Sequence, residues 1–299
     1  MLIVDERVNG TLVVREHLAE GTRLGAGLGA SGRLAADAVA RTLAVARRFA
    51  AHARAEGAEL TCIATSAMRR ARDADEFAVR LATELGVAVR ILSGDDEARL
   101  SFIGATHDAP ADGRRIAVLD IGGGSTECAV GVARAAEHVR SFEVGSVRVS
   151  ERFPPLCGGA PGEPARVAAE AARHMIRREL AELSALGPLA EVRAVAGTPL
   201  TLGAIAFESE ADRVAGRPLS RALLAETLER LLALDLDARR ALPGMIAQRA
   251  DVVVGGGLVL DEALRLLEAA EALLEDDDLL LGAAMELRRA QRGDGNAMG

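Results

Sequence analysis

Residues 118–127, VLDIGGGSTE, constrain this chain more than any other stretch, because an apolar strand runs into an acid, three glycines, two hydroxyls and a second acid. Glycine has no Cβ atom, so successive N–H groups of such a turn can point at an anion. Asp120 and Glu127 flank the turn, and carboxylate oxygens are the ligands that a hydrated Mg²⁺ prefers. A second apolar strand over 128–132 follows. The segment therefore predicts a strand–turn–strand hairpin that holds phosphate and a divalent cation.

Other glycine-rich phosphate motifs do not fit these letters. A P-loop requires a Lys followed by Ser or Thr, and none follows the three glycines. A dinucleotide fingerprint would place Gly or Ala where Glu127 stands. Residues 27–32, GLGASG, match G-x-G-x-x-G literally, but the small and polar residues 19–23 upstream do not form the apolar strand that a nucleotide site needs. A tight glycine hairpin without a ligand remains the alternative for 118–127.

The composition limits the classes of partner. A chain of 299 residues is long enough for two domains at roughly 100 to 200 residues each. The formal net charge of −8 and the absence of Trp and Tyr argue against a nucleic-acid-binding surface, which needs basic and base-stacking residues. The three cysteines have no C-x-x-C spacing, and there is no secretory leader pattern or membrane-length apolar run. We therefore expect a cytoplasmic protein without a membrane partner.

Strand and helix patterns alternate along the chain, which predicts an α/β fold. The predicted strands cover residues 2–4, 11–14, 60–64, 87–92, 192–196 and 252–254, with Asn9-Gly10 as the hairpin turn between the first two. The predicted helices cover 34–56, 74–85 and 165–186, closed by Gly57, Gly86 and Gly187-Pro188.

Two further turns extend the phosphate pattern. In AVAGTPLTLG, residues 194–203, a strand ends in Gly197 and Thr198, where the N-terminus of the next helix could face an anion. DVVVGGGLVL, residues 251–260, is interpreted in the same way, as a strand, a glycine turn and a helix. Each turn alone is weak evidence, since such connectors are common. Together with the first turn they would converge on one edge of the sheet, where α/β proteins bind ligands.

Two segments carry side chains suited to phosphate hydrolysis. SGDDEARLSF, residues 93–102, begins a helix with three acids, which either complement the helix dipole or include a general base for water, best Glu97. ATSAMRRA, residues 64–71, places Ser66, Arg69 and Arg70 after a strand. Arginine guanidinium groups match phosphate oxygens, although an arginine at such a position is more often a solvated surface residue.

Taken together, these residues resemble the exopolyphosphatase and guanosine pentaphosphate phosphohydrolase family, which has an actin-like fold. The resemblance extends from about Leu2 to about Glu286. The segments that carry it are TRLGAGL from Thr22, ATSAMR from Ala64, SGDDEARL from Ser93, DIGGGSTE from Asp120, VGSVRVSERF from Val144 and RADVVVGG from Arg249. It implies an α/β fold of two actin-like lobes with an interdomain cleft. Residues 1–117, joined by a C-terminal helix over 279–292, would form domain I, and 118–278 domain II.

The resemblance also implies roles for particular residues. Glu97 looks like the general base, and Asp120 and Glu127 look like the carboxylates that hold Mg²⁺ and orient water. The residues that look like phosphate ligands are Arg69, Gly123, Gly124, Ser125, Thr126, Gly197, Thr198 and Arg249. The implied reaction is Mg²⁺-dependent attack of water on a terminal phosphoanhydride of short-chain polyphosphate or guanosine pentaphosphate, releasing orthophosphate. A homodimer is compatible with the family.

The sequence departs from the family pattern in two places. Family members begin with a strand and an Asp-x-Gly-Ser/Thr-Asn turn that supplies a second phosphate loop, and this sequence begins after that turn, so we expect a longer native N-terminus. Near the other end, Asp278-Leu-Leu-Leu-Gly282 replaces the family's Gly-Leu-Arg-Glu-Gly, so this region is expected to pack rather than bind. The missing first loop leaves open a catalytically impaired phosphate-binding regulatory protein. A kinase or ATPase of the same fold is a separate alternative, and Glu97 at a hydrolytic position argues against it.

Overall fold

The computed structural model describes residues 1–8 and 10–292. Asn9, half of the predicted hairpin turn, therefore lies outside the described residues. The described residues form two compact units, the first comprising residues 1–97 together with 283–292, and the second Ala98–Gly282. Within the described ranges, no helix is long and apolar enough to cross a bilayer.

The first unit contains short strands and helices packed on one apolar cluster. Its elements are β1 (Leu2–Glu6), β2 (Leu12–His17), α1 (Leu28–Ser31), α2 (Ala36–Ala55), β3 (Cys62–Ala64), α3 (Ser66–Arg70), α4 (Ala74–Leu85) and β4 (Val89–Ile91). Strands β1 and β2 pair antiparallel as the Asn-Gly spacing predicts, and β3 and β4 form a separate parallel pair. The apolar faces of α2 and α4 bury Leu43, Phe77 and Leu81 in this cluster.

Helix α5 (Gly94–Ala105) crosses the boundary between the two units. Its later residues Phe102 and Ala105 lie in one buried cluster with Ile116 and Val118 of the next strand. The later part of α5 therefore packs within the second unit.

The second unit is built on a six-stranded mixed sheet. Its elements are β5 (Arg115–Ile121), β6 (Thr126–Val132), β7 (Ala135–Phe142), α6 (Ser146–Arg152), α7 (Glu163–Glu179), β8 (Glu191–Val195), α8 (Gly197–Ala206), β9 (Pro218–Ser220), α9 (Arg221–Leu232), α10 (Leu236–Arg240), α11 (Val253–Leu266) and β10 (Glu271–Leu274); α12 (Leu279–Gln291) follows. The strand order is β7-β6-β5-β8-β10-β9, with β5, β8 and β10 parallel. Alternate residues of β5 face opposite sides of this sheet, each covered by an apolar cluster.

One predicted strand is wrong. Residues 252–254 were expected to form a strand ending in a glycine turn, but Val253–Leu266 is a buried α-helix that contains Gly255, Gly256 and Gly257. A Cβ atom on Gly255 would lie 2.8 Å from the carbonyl oxygen of Ser146, and one on Gly256 would overlap Thr198. The glycines therefore allow α11 to pack closely on α6 and α8, and this packing outweighs the low helix propensity of valine and glycine.

The other predicted elements agree with the structure within a few residues. Gly86, in the left-handed conformation at φ +65°, ends α4 at Leu85 as predicted. The helix predicted over 165–186 ends at Glu179 and continues as the 3₁₀ turn Ala181–Ala185. Strands β7, β9 and β10 were not predicted, because half of the residues of β7 are polar and the other two strands are only three and four residues long.

Candidate active site

The two carboxylates that flank the glycine turn are direct cross-strand partners. Asp120 on β5 pairs with Glu127 on β6 in antiparallel register, which places both side chains on the same face of the sheet. Both are buried, with 7% of Asp120 and 1% of Glu127 exposed. Two acids in adjacent, buried positions require compensating partners.

A serine orients each of these carboxylates. Ser101 of α5 donates its hydroxyl to Asp120 Oδ2 at 2.6 Å, and Ser141 of β7 donates to Glu127 Oε1 at 2.7 Å. Neither serine was predicted as a site residue. Ser141 is the register partner of Glu127 on β7, a strand that the sequence did not reveal.

The donor set at this pair suits a magnesium ion. In the described part of the chain, no group of three or more His, Cys, Asp or Glu side chains is arranged around one metal position. Mg²⁺ typically takes one or two protein carboxylates and completes its octahedron with water and substrate phosphate. Asp120 and Glu127 fit that requirement, whereas a zinc site would need more protein ligands.

The glycine turn between β5 and β6 has one amide that is bound within the turn and three that have no acceptor among the described residues. Gly122 N–H donates to the Ser125 carbonyl at 3.1 Å, which closes the turn. Across the described residues, the N–H groups of Gly123, Gly124 and Ser125 have no hydrogen-bond acceptor. Such consecutive free amides form an anion-binding concavity.

The carbonyl groups of the same turn hold a neighbouring helix. Gly122 O accepts from Ser146 N–H at 3.0 Å, and Gly123 O accepts from Val147 N–H at 2.9 Å. The N-terminus of α6 is thereby satisfied by protein. Thr126 is fully buried and donates its hydroxyl to the Val144 carbonyl at 2.6 Å, so this side chain ties the end of the turn to the segment before α6.

The second predicted phosphate turn lies at the same edge of the sheet. Val195, the last residue of β8, pairs with Asp120 in parallel register, so the turns after β5 and β8 emerge side by side. Ala196 has φ +75° and ψ 174°, a region that is populated almost only by glycine and costs about 1–3 kcal/mol. Such strain at a turn is typical of functional sites.

Arg249 lies directly against the start of α8. A Cβ atom on Gly197 would overlap its guanidinium, so only glycine permits this approach. Burial lowers the pKa of Arg249, and within the described residues no carboxylate or hydrogen-bond acceptor compensates its charge. The helix starts at Gly197 without a side-chain cap, and Thr198 is 2% exposed. A desolvated cation therefore adjoins an uncapped helix N-terminus, and both attract an anion.

Glu97 and Arg69 form a buried ion pair in the first unit. Arg69 donates to Glu97 Oε2 and also to the Leu92 carbonyl at 3.1 Å. Burial raises the pKa of Glu97, and the hydrogen bond and charge of Arg69 oppose that rise. A raised pKa makes a carboxylate a stronger proton acceptor than an ordinary glutamate.

The structure distinguishes the three acids at the start of α5. Asp95 is exposed, and Asp96 accepts a hydrogen bond from Ser93 at 2.7 Å in an N-terminal cap. Glu97 alone of the three is buried. The helix-dipole interpretation therefore suits Asp95 and Asp96, whereas Glu97 has the environment of a functional group. Ser101, which donates a hydrogen bond to Asp120, lies one helical turn after Glu97 on the same face of α5. This spacing is visible in the sequence and could have identified Ser101 as a site residue.

The third predicted phosphate turn is not a turn. Gly255, Gly256 and Gly257 are inside α11, and Gly256 packs on Thr198. Ser66, predicted near Arg69, is buried and its hydroxyl has no hydrogen-bond partner among the described residues.

Comparison with known proteins identifies the family. The model of the Ppx/GppA phosphatase family matches residues 3–277. The chain belongs to this family. Exopolyphosphatase 2 of Mycobacterium tuberculosis is 34% identical over 281 residues, which cover 89% of this chain and 86% of that protein. Exopolyphosphatase 1 of Mycobacterium bovis is 30% identical over 280 residues, covering 91% and 80% respectively. The expectation of a hydrolase is thereby confirmed.

Solved structures of Ppx/GppA proteins share the fold. An exopolyphosphatase from Cytophaga hutchinsonii superposes with a TM-score of 0.83 at 23% identity, covering 96% of this chain and 93% of that one. The Aquifex aeolicus Ppx/GppA protein gives a TM-score of 0.79 at 22% identity, covering 97% and 94%. An exopolyphosphatase-like protein gives 0.82 at 26% identity, covering 94% and 92%. The predicted α/β fold of the actin-like class is confirmed.

Proposed function

We propose that this Ppx/GppA family member is an exopolyphosphatase, which hydrolyses the terminal phosphoanhydride bond of polyphosphate and releases orthophosphate. The observation that carries the proposal is the phosphate site of the second unit. There, the free amides of Gly123, Gly124 and Ser125 and the uncompensated guanidinium of Arg249 flank adjacent strand ends. The names of the mycobacterial relatives support the same substrate class.

In the proposed reaction, water attacks the terminal phosphorus and the bridging P–O bond breaks, leaving polyphosphate shortened by one unit. Glu97 accepts a proton from the attacking water, and Arg69 keeps its carboxylate in place. The turn amides and Arg249 bind phosphate oxygens and stabilise the negative charge in the transition state. Asp120 and Glu127 would hold Mg²⁺, which when bound neutralises phosphate charge.

The proposal includes the substrate, short-chain polyphosphate, and a requirement for Mg²⁺. Guanosine pentaphosphate contains the same terminal phosphoanhydride, so it is the second candidate substrate. The homodimer, the cytoplasmic location and the domain limits 1–117 and 118–278 also stay predictions. A catalytically impaired regulatory protein would bind polyphosphate without Glu97-dependent turnover, and a kinase or ATPase would require ATP.

The test measures Mg²⁺-dependent orthophosphate release from short-chain polyphosphate and from guanosine pentaphosphate. We expect Glu97→Gln to lower turnover by roughly 100- to 10,000-fold, because the proton acceptor is lost, while substrate affinity is kept. Asp95→Asn is the matched control, since Asp95 is an exposed acid in the first turn of the same helix.

The pH profile adds a second readout. Glu97 must be deprotonated to act as a base, and burial raises its pKa. The activity of the wild type should therefore fall on the acidic side at a higher pH than an ordinary glutamate would give, and Asp95→Asn should keep this limb. Equal turnover in the wild type and Glu97→Gln would remove Glu97 from the mechanism, and binding without turnover in the wild type would favour the regulatory alternative.

A further inference from the structure

A basic cavity lies in the second unit, apart from the residues assigned above. Its volume is about 750 Å³, within the range of small-molecule sites. Arg152, from the last turn of α6, and His174, Arg177 and Arg178, from α7, supply its polar lining. Its described lining contains no acidic side chain.

Three of these four basic side chains have no partner among the residues that the structure describes. Arg177 forms two hydrogen bonds of 3.1 Å with Glu262 and is thereby committed to the fold. In the described part of the chain, Arg152, His174 and Arg178 have no carboxylate or hydrogen-bond acceptor. Basic residues in the last turn of a helix often only complement the helix dipole. Here the last turns of α6 and α7 both contribute arginines to one cavity.

The rest of the cavity is apolar. Phe153 and Met175 line it between the cations, and both are half-buried against the main core. His174, Met175 and Arg178 recur at helical spacing on α7, so one face of that helix offers charge and apolar surface together. An inorganic anion would use only the cations, whereas an anion with an apolar body would use the whole lining.

We propose that this cavity binds a small organic phosphate. Its phosphate group pairs with Arg152 and Arg178, whose forked guanidinium groups match phosphate oxygens, and its apolar body packs on Phe153 and Met175. His174 adds a further donor. The site is distinct in sequence and in lining from the phosphate turns at residues 122–126 and 196–198, so it does not depend on the proposed exopolyphosphatase activity.

The experiment is an NMR titration of the ¹⁵N-labelled full chain with phenylphosphonate, which is not hydrolysed by a phosphatase. Methylphosphonate, with the same charged group and a smaller body, is the matched probe. We expect amide shift changes at residues 152–153 and 171–181, and tighter binding of phenylphosphonate at these residues. In Arg152→Gln/Arg178→Gln, binding there should weaken roughly tenfold or more, since two charge-assisted hydrogen bonds are lost.

Arg166→Gln is the control, because Arg166 lies on α7 outside the cavity lining and pairs with Glu229 at 3.1 Å. It should bind as the wild type does. Shift changes confined to 122–126 and 196–198 would overturn the proposal while supporting the phosphate site of the proposed function. Unchanged affinity in the double variant, with an otherwise preserved spectrum, would overturn it as well, and equal affinity for both phosphonates would refute the apolar contact.

Discussion

Arg249 should destabilise the empty protein and stabilise the phosphate-bound one. Burial lowers its pKa, and none of the described residues offers a carboxylate or an acceptor to its guanidinium. An uncompensated, partly desolvated charge costs free energy in the folded state. Replacing Arg249 by Met keeps the length and apolar contacts of the side chain and removes that charge. We therefore expect Arg249→Met to raise the free energy of unfolding in phosphate-free buffer, by about 1–2 kcal/mol.

The same substitution should strongly reduce stabilisation by ligand. Orthophosphate at 100 times its dissociation constant stabilises the wild type by about 2.7 kcal/mol. Two charge-assisted hydrogen bonds from one guanidinium, at about 1.5 kcal/mol or more each, correspond to an affinity loss of roughly 100-fold in the variant. At the same concentration the variant then gains only about 0.4 kcal/mol. For a domain of 150–250 residues, these values correspond to shifts in Tm of about 5–10 °C and about 1 °C.

The assay is thermal unfolding followed by circular dichroism, with and without orthophosphate and Mg²⁺, for the wild type, Arg249→Met and Arg166→Met. Arg166 is a surface arginine paired with Glu229, so its replacement should leave the phosphate-dependent shift intact. Steady-state kinetics on short-chain polyphosphate complete the test, with an expected loss of roughly 100- to 1,000-fold in kcat/KM for Arg249→Met. An Arg249→Met variant less stable than the wild type in phosphate-free buffer, or equally stabilised by orthophosphate, would refute the reasoning.

Two further predictions concern stability. Gly104→Ala should lower the free energy of unfolding by about 1–3 kcal/mol in urea titrations, because a Cβ atom there overlaps the Asp278 carbonyl. Gly29 has open space around it, so the control Gly29→Ala should be neutral. Equal effects of the two substitutions would contradict the packing. Burial raises the pKa of Glu275 to about 7. The stability that its protonated form contributes is present below its ordinary pKa of about 4.5 and is lost as the pH rises through about 7. Glu275→Gln should therefore gain about 1 kcal/mol or more relative to the wild type between pH 5 and pH 8, and a pH-independent difference would exclude this titration.

The sequence predicted the local parts of the candidate site well. The three-glycine turn between β5 and β6 and the turn into α8 were predicted because each follows an apolar strand and relies on glycine's lack of a Cβ atom. Glu97 was preferred among the three acids from the sequence, and the family resemblance implied the same residue, but its burial could not be predicted because exposure cannot be read from consecutive residues. The turn predicted at the glycines of α11 was wrong. Three valines followed by three glycines are typical of a strand and a turn, but here the glycines allow neighbouring helices to pack closely.

What the sequence determined by itself is therefore the family, the α/β class and the placing of turns, since these depend on neighbours along the chain. Tertiary structure alone decided the partners. It paired Asp120 with Glu127 across two strands, brought Ser101 and Ser141 to their oxygens, and placed the guanidinium of Arg249 on Gly197. These contacts join residues from 7 to 52 positions apart, and their distances and desolvation exist only once sheet register and helix packing are fixed.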